Sequence, residues 1–113
     1  MNDDKRYEFR ASIFKALANP LRLRILEKLS EKPWCVCALA AELHTDKSII
    51  SKYLSQLREV GMVEDEKRGT MVEYRLVAPC VLQAVSCAEQ TIAEHKKRIL
   101  GELDSLESSE KQG

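Results

Sequence analysis

Apolar side chains recur at helical spacing through the first sixty or so positions, then alternate over a short stretch, then return to helical spacing. Phe9, Ile13, Phe14 and Leu17 predict a helix over 6–18. Asn19-Pro20 restarts the chain, with Asn as N-cap and Pro at the first helical position, where its missing N–H costs nothing. Leu21, Ile25, Leu26 and Leu29 form the apolar face of this second helix, and Glu31-Lys32-Pro33 ends it. A short third helix is expected from about Cys35 to Leu43, turning Val36, Leu39, Ala40 and Leu43 inward. His44-Thr45 reads as a turn, and Thr45 or Asp46 can cap a fourth helix over 47–60 that buries Ile50, Leu54 and Leu57. Gly61 is its expected stop.

From Met62 the period becomes two. Residues 62–66 and 71–76 predict strands joined by Lys67-Arg68-Gly69-Thr70, a hairpin with glycine at its tip. Pro79 opens a last long helix. There Val81, Val85, Ala88, Ile92, His95, Ile99, Leu103 and Leu106 follow the rhythm of a helix-pairing seam. The pattern predicts one α+β, mainly helical domain over 1–107, a winged helix-turn-helix, followed by a disordered tail at 108–113. With 113 residues its core is modest, and pairing of two copies through the first and last helices would enlarge it.

In a winged helix-turn-helix the second helix of the motif lies in the major groove with its N-terminal residues at base edges. Those residues here are Lys47, Ser48, Ile49, Ser51, Lys52 and Tyr53. Lys47 and Lys52 suit phosphates or guanine acceptors, Ser48 and Ser51 suit either, and Ile49 can pack on a thymine methyl. Tyr53 divides between core packing and DNA contact. Arg68, with Lys67 and Thr70 beside it, would reach phosphate or the minor groove from the wing. The basic and acidic side chains balance at 18 each, which argues mildly against a nonspecific polyanion binder but leaves local basic patches available. A symmetric dimer predicts double-stranded operator DNA with inverted half-sites about one helical turn apart. No apolar run approaches the roughly 20 residues that cross a bilayer, so no membrane association is expected. The charged N-terminus has no signal-peptide core. A cytoplasmic location follows, and there Cys35, Cys37, Cys80 and Cys87 stay reduced and are better read as free or metal-binding than as disulfides. No phosphate loop, nucleophile–base pair or acidic dyad suggests an enzyme.

The chain resembles the ArsR/SmtB metalloregulatory repressors from about Phe14 to about Ile99. Four stretches carry the likeness: Lys15-Ala16-Leu17-Ala18-Asn19-Pro20-Leu21-Arg22-Leu23-Arg24-Ile25-Leu26, Cys35-Val36-Cys37, Ile50-Ser51-Lys52-Tyr53-Leu54-Ser55-Gln56-Leu57-Arg58-Glu59-Val60-Gly61, and the hairpin 67–76. The Cys-Val-Cys points to the thiolate-sensing, arsenic-type branch. The resemblance implies a homodimer that represses an operator and lets go when a metal or metalloid binds. Arsenic sensors of that branch often read Cys-Val-Cys-Asp-Leu-Cys; Ala38 and Ala40 stand here where the Asp and the third Cys would be.

Residues two apart on a regular helix point roughly opposite ways, so Cys35 and Cys37 share one ion only if the first turn unwinds or Cys35 sits in an extended entry. Either way, a bound ion would distort the helix that supports the DNA reader. Soft thiolates select thiophilic species: three favour trivalent arsenic or antimony, and four bring in cadmium, lead or zinc. Cys80 and Cys87 lie two turns apart on the last helix, about 10 Å, so one ion cannot bridge them within a chain, though either could complete the Cys35/Cys37 site. His95 reads as an interface residue and His44 as part of a turn. Two other functions fit the same residues: a thiol redox switch on DNA, and a winged module that docks on protein.

Overall fold

A computed structural model describes residues 3–112, and of these the side chains of residues 3–106. The elements are α1 (Asp3–Leu17), α2 (Pro20–Glu31), β1 (Trp34–Cys35), α3 (Val36–Glu42), α4 (Lys47–Val60), β2 (Val63–Arg68), β3 (Met71–Leu76) and α5 (Cys80–Gln112). The described residues form two compact units, divided between Pro79 and Cys80.

The first unit is a winged helix-turn-helix. Asn19 caps α2 with its side-chain oxygen, which accepts from the Arg22 backbone N–H at 3.0 Å, and Pro20 occupies the first turn as expected. Ile25, Leu26 and Leu29 of α2, Leu39 and Ala40 of α3, Leu43, and Ile50, Leu54 and Leu57 of α4 are buried together with Met62, Val63 and Tyr74 at the base of the wing. The inward stripes of α2, α3 and α4 thus fall largely where the periodicity puts them, although Leu21 and Val36 are only half-buried.

Helix α1 departs from that pattern. Leu17 is buried and Ile13 half-buried, yet Phe9 and Phe14 are 55% and 70% exposed, so half of the expected apolar face of α1 is left uncovered by the described residues. Periodicity identifies an apolar face but not what covers it.

The turn between α3 and α4 closes with Thr45 N–H on Ala40 O at 3.0 Å and His44 N–H on Ala41 O at 3.3 Å. This is the Schellman arrangement, and it puts His44 at φ 51° where glycine is usual. Asp46 occupies the N-cap position of α4, but neither expected side-chain cap forms. Asp46 makes no such bond, and the Thr45 hydroxyl donates backwards to Leu43 O at 3.0 Å. At the far end of α4, Gly61 adopts φ 93° and the Met62 N–H reaches Leu57 O at 3.0 Å. A Cβ at Gly61 would meet nothing within 4 Å, so the cost of a side chain there is in the backbone alone. Gly61→Ala is expected to lower unfolding free energy by about 1 kcal/mol, the left-handed penalty less the reduced freedom of the unfolded chain. A urea midpoint equal to or above that of the parent would contradict it.

Three antiparallel strands run in the order β1-β3-β2. The hairpin turn is tighter than the expected four residues. Gly69, at φ 64°, reverses the chain with Thr70 alone, so Lys67 and Arg68 join the ladder opposite Val72 and Met71. Strand β1 was not expected: Trp34 and Cys35 pair with Tyr74 and Glu73. Cys35 therefore lies in extended backbone (φ −86°, ψ 161°), and α3 begins at Val36 rather than at Cys35.

In the second unit, α5 continues to Gln112, through 108–112 where a disordered tail was expected; Gly113 lies outside the described residues. Ile92, Ile99, Leu103 and Leu106 of the expected seam are exposed along it, with Leu100 beside them. His95 Nδ1 lies 3.2 Å from the Arg98 guanidinium. No helix among the described residues is long and apolar enough to cross a membrane.

Candidate functional site

Burying Ile50, Leu54 and Leu57 leaves the other faces of α4 to solvent. Lys47, Ser48, Ile49, Ser51 and Lys52 are all exposed in its first two turns, Ile49 at 39%. An isoleucine held open between lysines and serines gains nothing for the fold, but it suits a surface that meets a thymine methyl.

Tyr53 sits differently. It is half-buried, its hydroxyl lies 3.4 Å from Asn19 Nδ2, and the Arg22 guanidinium stacks over its ring at 5.3 Å. Both partners belong to the N-terminal end of α2, so Tyr53 joins α4 to its neighbour. The Arg22 and Gln56 contact in the same place, at 2.9 Å, was not anticipated. The residues involved are 34 positions apart, and no local pattern reveals them.

The wing is less basic than its tip suggested. Arg68 lies 3.3 Å from Glu73 and 3.7 Å from Glu66, Arg75 pairs with Glu64, and Asp65 pairs with Arg58 of α4 at 3.0 Å. Arg68 thus rests on carboxylates of its own sheet while remaining 65% exposed. Exposed pairs of this kind hold only about 0–1 kcal/mol, so a phosphate can compete for the guanidinium. Thr70 is exposed in the turn beside it.

All four cysteines are free thiols: Cys35 half-buried, Cys37, Cys80 and Cys87 exposed. The extended entry foreseen for Cys35 is the one observed. Cys35 and Cys37 line different depressions. Cys35 opens into a cleft between β1 and the wing, with Trp34, Arg68, Met71 and Glu73. Cys37, in the first turn of α3, lines a separate depression with His44, Asp46 and Lys47 at the start of α4. Ala40, where the arsenic-type pattern has its third cysteine, is buried. Among the described residues no group of three or more His, Cys, Asp or Glu is placed to hold a metal ion. Cys80 opens α5, with Cys87 two turns further on.

Beside the α3–α4 junction, Lys28 Nζ pairs with Glu42 at 3.0 Å, and the Trp34 indole donates to Lys28 O at 2.9 Å. The hydrogen bond to Glu42, with the nearby Glu31 charge, raises the Lys28 pKa. The base of α3 is thereby tied to the end of α2.

Residues 19–65 match the model of the arsR family of bacterial regulatory proteins. An HTH-type transcriptional regulator of Methanocaldococcus jannaschii is 36% identical over 87 residues, covering 76% of this chain and 98% of that one. The arsenical resistance operon repressor of Escherichia coli K12 is 45% identical over 65 residues, covering 57% of this chain and 56% of the repressor. Among solved structures, a homodimeric winged helix-turn-helix DNA-binding domain from Mycobacterium bovis, described as a possible ArsR-family transcriptional regulator, superposes with a TM-score of 0.72 at 29% identity, covering 84% of this chain and 90% of that domain.

Proposed function

This chain belongs to the arsR family of bacterial regulatory proteins, and from that premise we propose that it is a homodimeric repressor released from its operator by a thiophilic metalloid. As a member of the family it is a DNA-binding transcriptional regulator, not an enzyme. The observation that carries the proposal is the outer face of α4, where Lys47, Ser48, Ile49, Ser51 and Lys52 stand exposed over a fully buried inner stripe. The exposed apolar residues of α1 (Tyr7, Phe9, Phe14) and, in the other unit, those of α5 (Ile92, Ile99, Leu103, Leu106) each offer apolar area to a second copy. The homodimeric state of the M. bovis domain supports that assignment. Two copies related by a two-fold axis read an inverted repeat.

Trivalent arsenic or antimony is the effector best suited to Cys35 and Cys37, with cadmium, lead or zinc next. Likeness to an arsenical resistance operon repressor favours arsenic. With alanine at 38 and 40, the third position is left to Cys80, Cys87, solvent or no donor at all. One ion takes both thiols by drawing Cys37 out of the first turn of α3 or Cys35 off β3. Either movement disturbs the support beneath α4.

The test begins with duplexes selected by the protein from a random pool. Affinity should fall steeply with salt, because each phosphate neutralised releases counterions. Lys52→Ala should weaken binding about tenfold and flatten the logarithmic salt slope by about 1. Wild-type binding that ignores salt would instead favour docking on protein. Arsenite should dissociate the reduced complex. Dissociation by peroxide alone would favour the redox switch.

A further inference from the structure

We infer that Arg22 is a positioning residue that fixes the DNA-reading helix α4 against α1, and so sets the half-site spacing the dimer accepts. Its consequence for operator spacing rests on the function proposed above; the mechanical claim about α1 and α4 does not.

Three elements meet at this one guanidinium. Arg22 Nε donates to Ala16 O at 2.6 Å and its NH2 group to Lys15 O at 3.1 Å, carbonyls in the last turn of α1, of which Lys15 O also accepts from the Ala18 N–H at 3.2 Å. Its NH1 group donates to Gln56 Oε1 of α4 at 2.9 Å, while the cation stacks on Tyr53 one turn earlier. The backbone N–H of Arg22 is itself held by the Asn19 cap, and Asn19 Nδ2 faces the Tyr53 hydroxyl. The planar fork has its donors in fixed directions, so seating it on α1 also fixes where Gln56 and Tyr53 must lie.

The two helices joined in this way have different partners. Helix α1 carries the exposed Tyr7, Phe9 and Phe14, the surface assigned to the second copy. Helix α4 carries the base-reading residues. Spacing between the two reading helices of a dimer depends on how rigidly each is held to its own dimer face. One base pair of extra spacer rotates a half-site by about 34° and moves it along the axis, so a rigid frame accepts a single spacing. A compliant frame accepts several.

The test compares the wild type with Arg22→Lys and Gln56→Leu. Lysine keeps the charge but offers a point donor that cannot span the α1 carbonyls and Gln56. The leucine variant removes only the hydrogen bond to α4, leaving the Tyr53 stack in place and the bonds to the α1 carbonyls intact, so it remains informative should Arg22→Lys fail to fold. Paramagnetic tags attached through unnatural amino acids at the exposed Glu8 and Glu59 report the α1–α4 distance within one protomer, with labelled chain diluted into unlabelled. The distribution should broaden in both variants. On selected duplexes whose central spacer is lengthened or shortened by one base pair, the wild type should show one preferred spacing and the variants a flattened profile. Loss of affinity that is equal at every spacing, with an unchanged distance distribution, overturns the inference. So does full restoration of both readouts by Arg22→Lys, since charge alone would then suffice. Should the wild type select no duplex, the proposed function fails, and the tag distances still decide the role of Arg22.

Discussion

Replacing Cys37 by serine is expected to leave operator affinity nearly unchanged and to abolish release by arsenite. Cys37 is exposed in the first turn of α3 and shares its depression with His44, Asp46 and Lys47, at the start of the reading helix. Serine preserves the size of the side chain, so α3 and the turn after it have no reason to move. What disappears is the soft donor. Coupling free energies between two sites are commonly about 1–3 kcal/mol, so arsenite should weaken the wild-type complex by roughly 5–150-fold and the variant's not at all. Cys35→Ser should do the same, but from the other side of the α3 entry, where Cys35 pairs with Glu73 of the wing. The assay is operator affinity of reduced protein across an arsenite titration. Release that persists undiminished in both serine variants would remove the α3 entry from sensing and leave Cys80 and Cys87 as the candidates.

How far such a site can be read without coordinates depends on whether its determinants are local. The limits of α2 and α4 are legible because Asn19-Pro20 and Gly61 act within a few residues of themselves. The outer face of α4 is legible for the same reason: a helix that buries Ile50, Leu54 and Leu57 must present Ser48, Ile49 and Lys52 elsewhere. Strand β1 is not legible. Two residues, Trp34 and Cys35, become a strand only because Tyr74 and Glu73 lie beside them, nearly forty positions later. That pairing decides the local geometry of Cys35, so the extended entry could be named in advance but not chosen over an unwound turn. The partners of Arg68 were within reach of a register argument, since Glu66 and Glu73 face each other across the hairpin. The basic charge at the wing tip is local, whereas the carboxylates that balance it, Glu66 and Glu73, emerge only once the two strands are paired. Nothing in the sequence marks Arg22 as the residue that holds three helices together.

Leu54→Ala is expected to cost about 2–5 kcal/mol of unfolding free energy, against a total of roughly 5–15 kcal/mol for a domain of ordinary stability. Leu54 is fully buried in the middle turn of α4, between Ile50 and Leu57, and the stripe it belongs to is the buried face of a helix that packs on α1, α3 and the wing. Truncation removes burial and leaves a cavity, and the two losses add. The effect on DNA should differ in kind from that of Lys52→Ala. The lysine variant weakens the complex while leaving urea unfolding of the free protein almost unaltered. The leucine variant unfolds early when free, yet saturating operator should recover part of the loss, because a ligand that binds only the folded state stabilises it by mass action. Unfolding followed at one fixed protein concentration, with and without operator, separates the two, since a dimer's stability also depends on concentration. A Leu54→Ala loss below about 1 kcal/mol would mean that the inner face of α4 is not packed as described, and the exposure of its outer face could then no longer be taken as a reading surface.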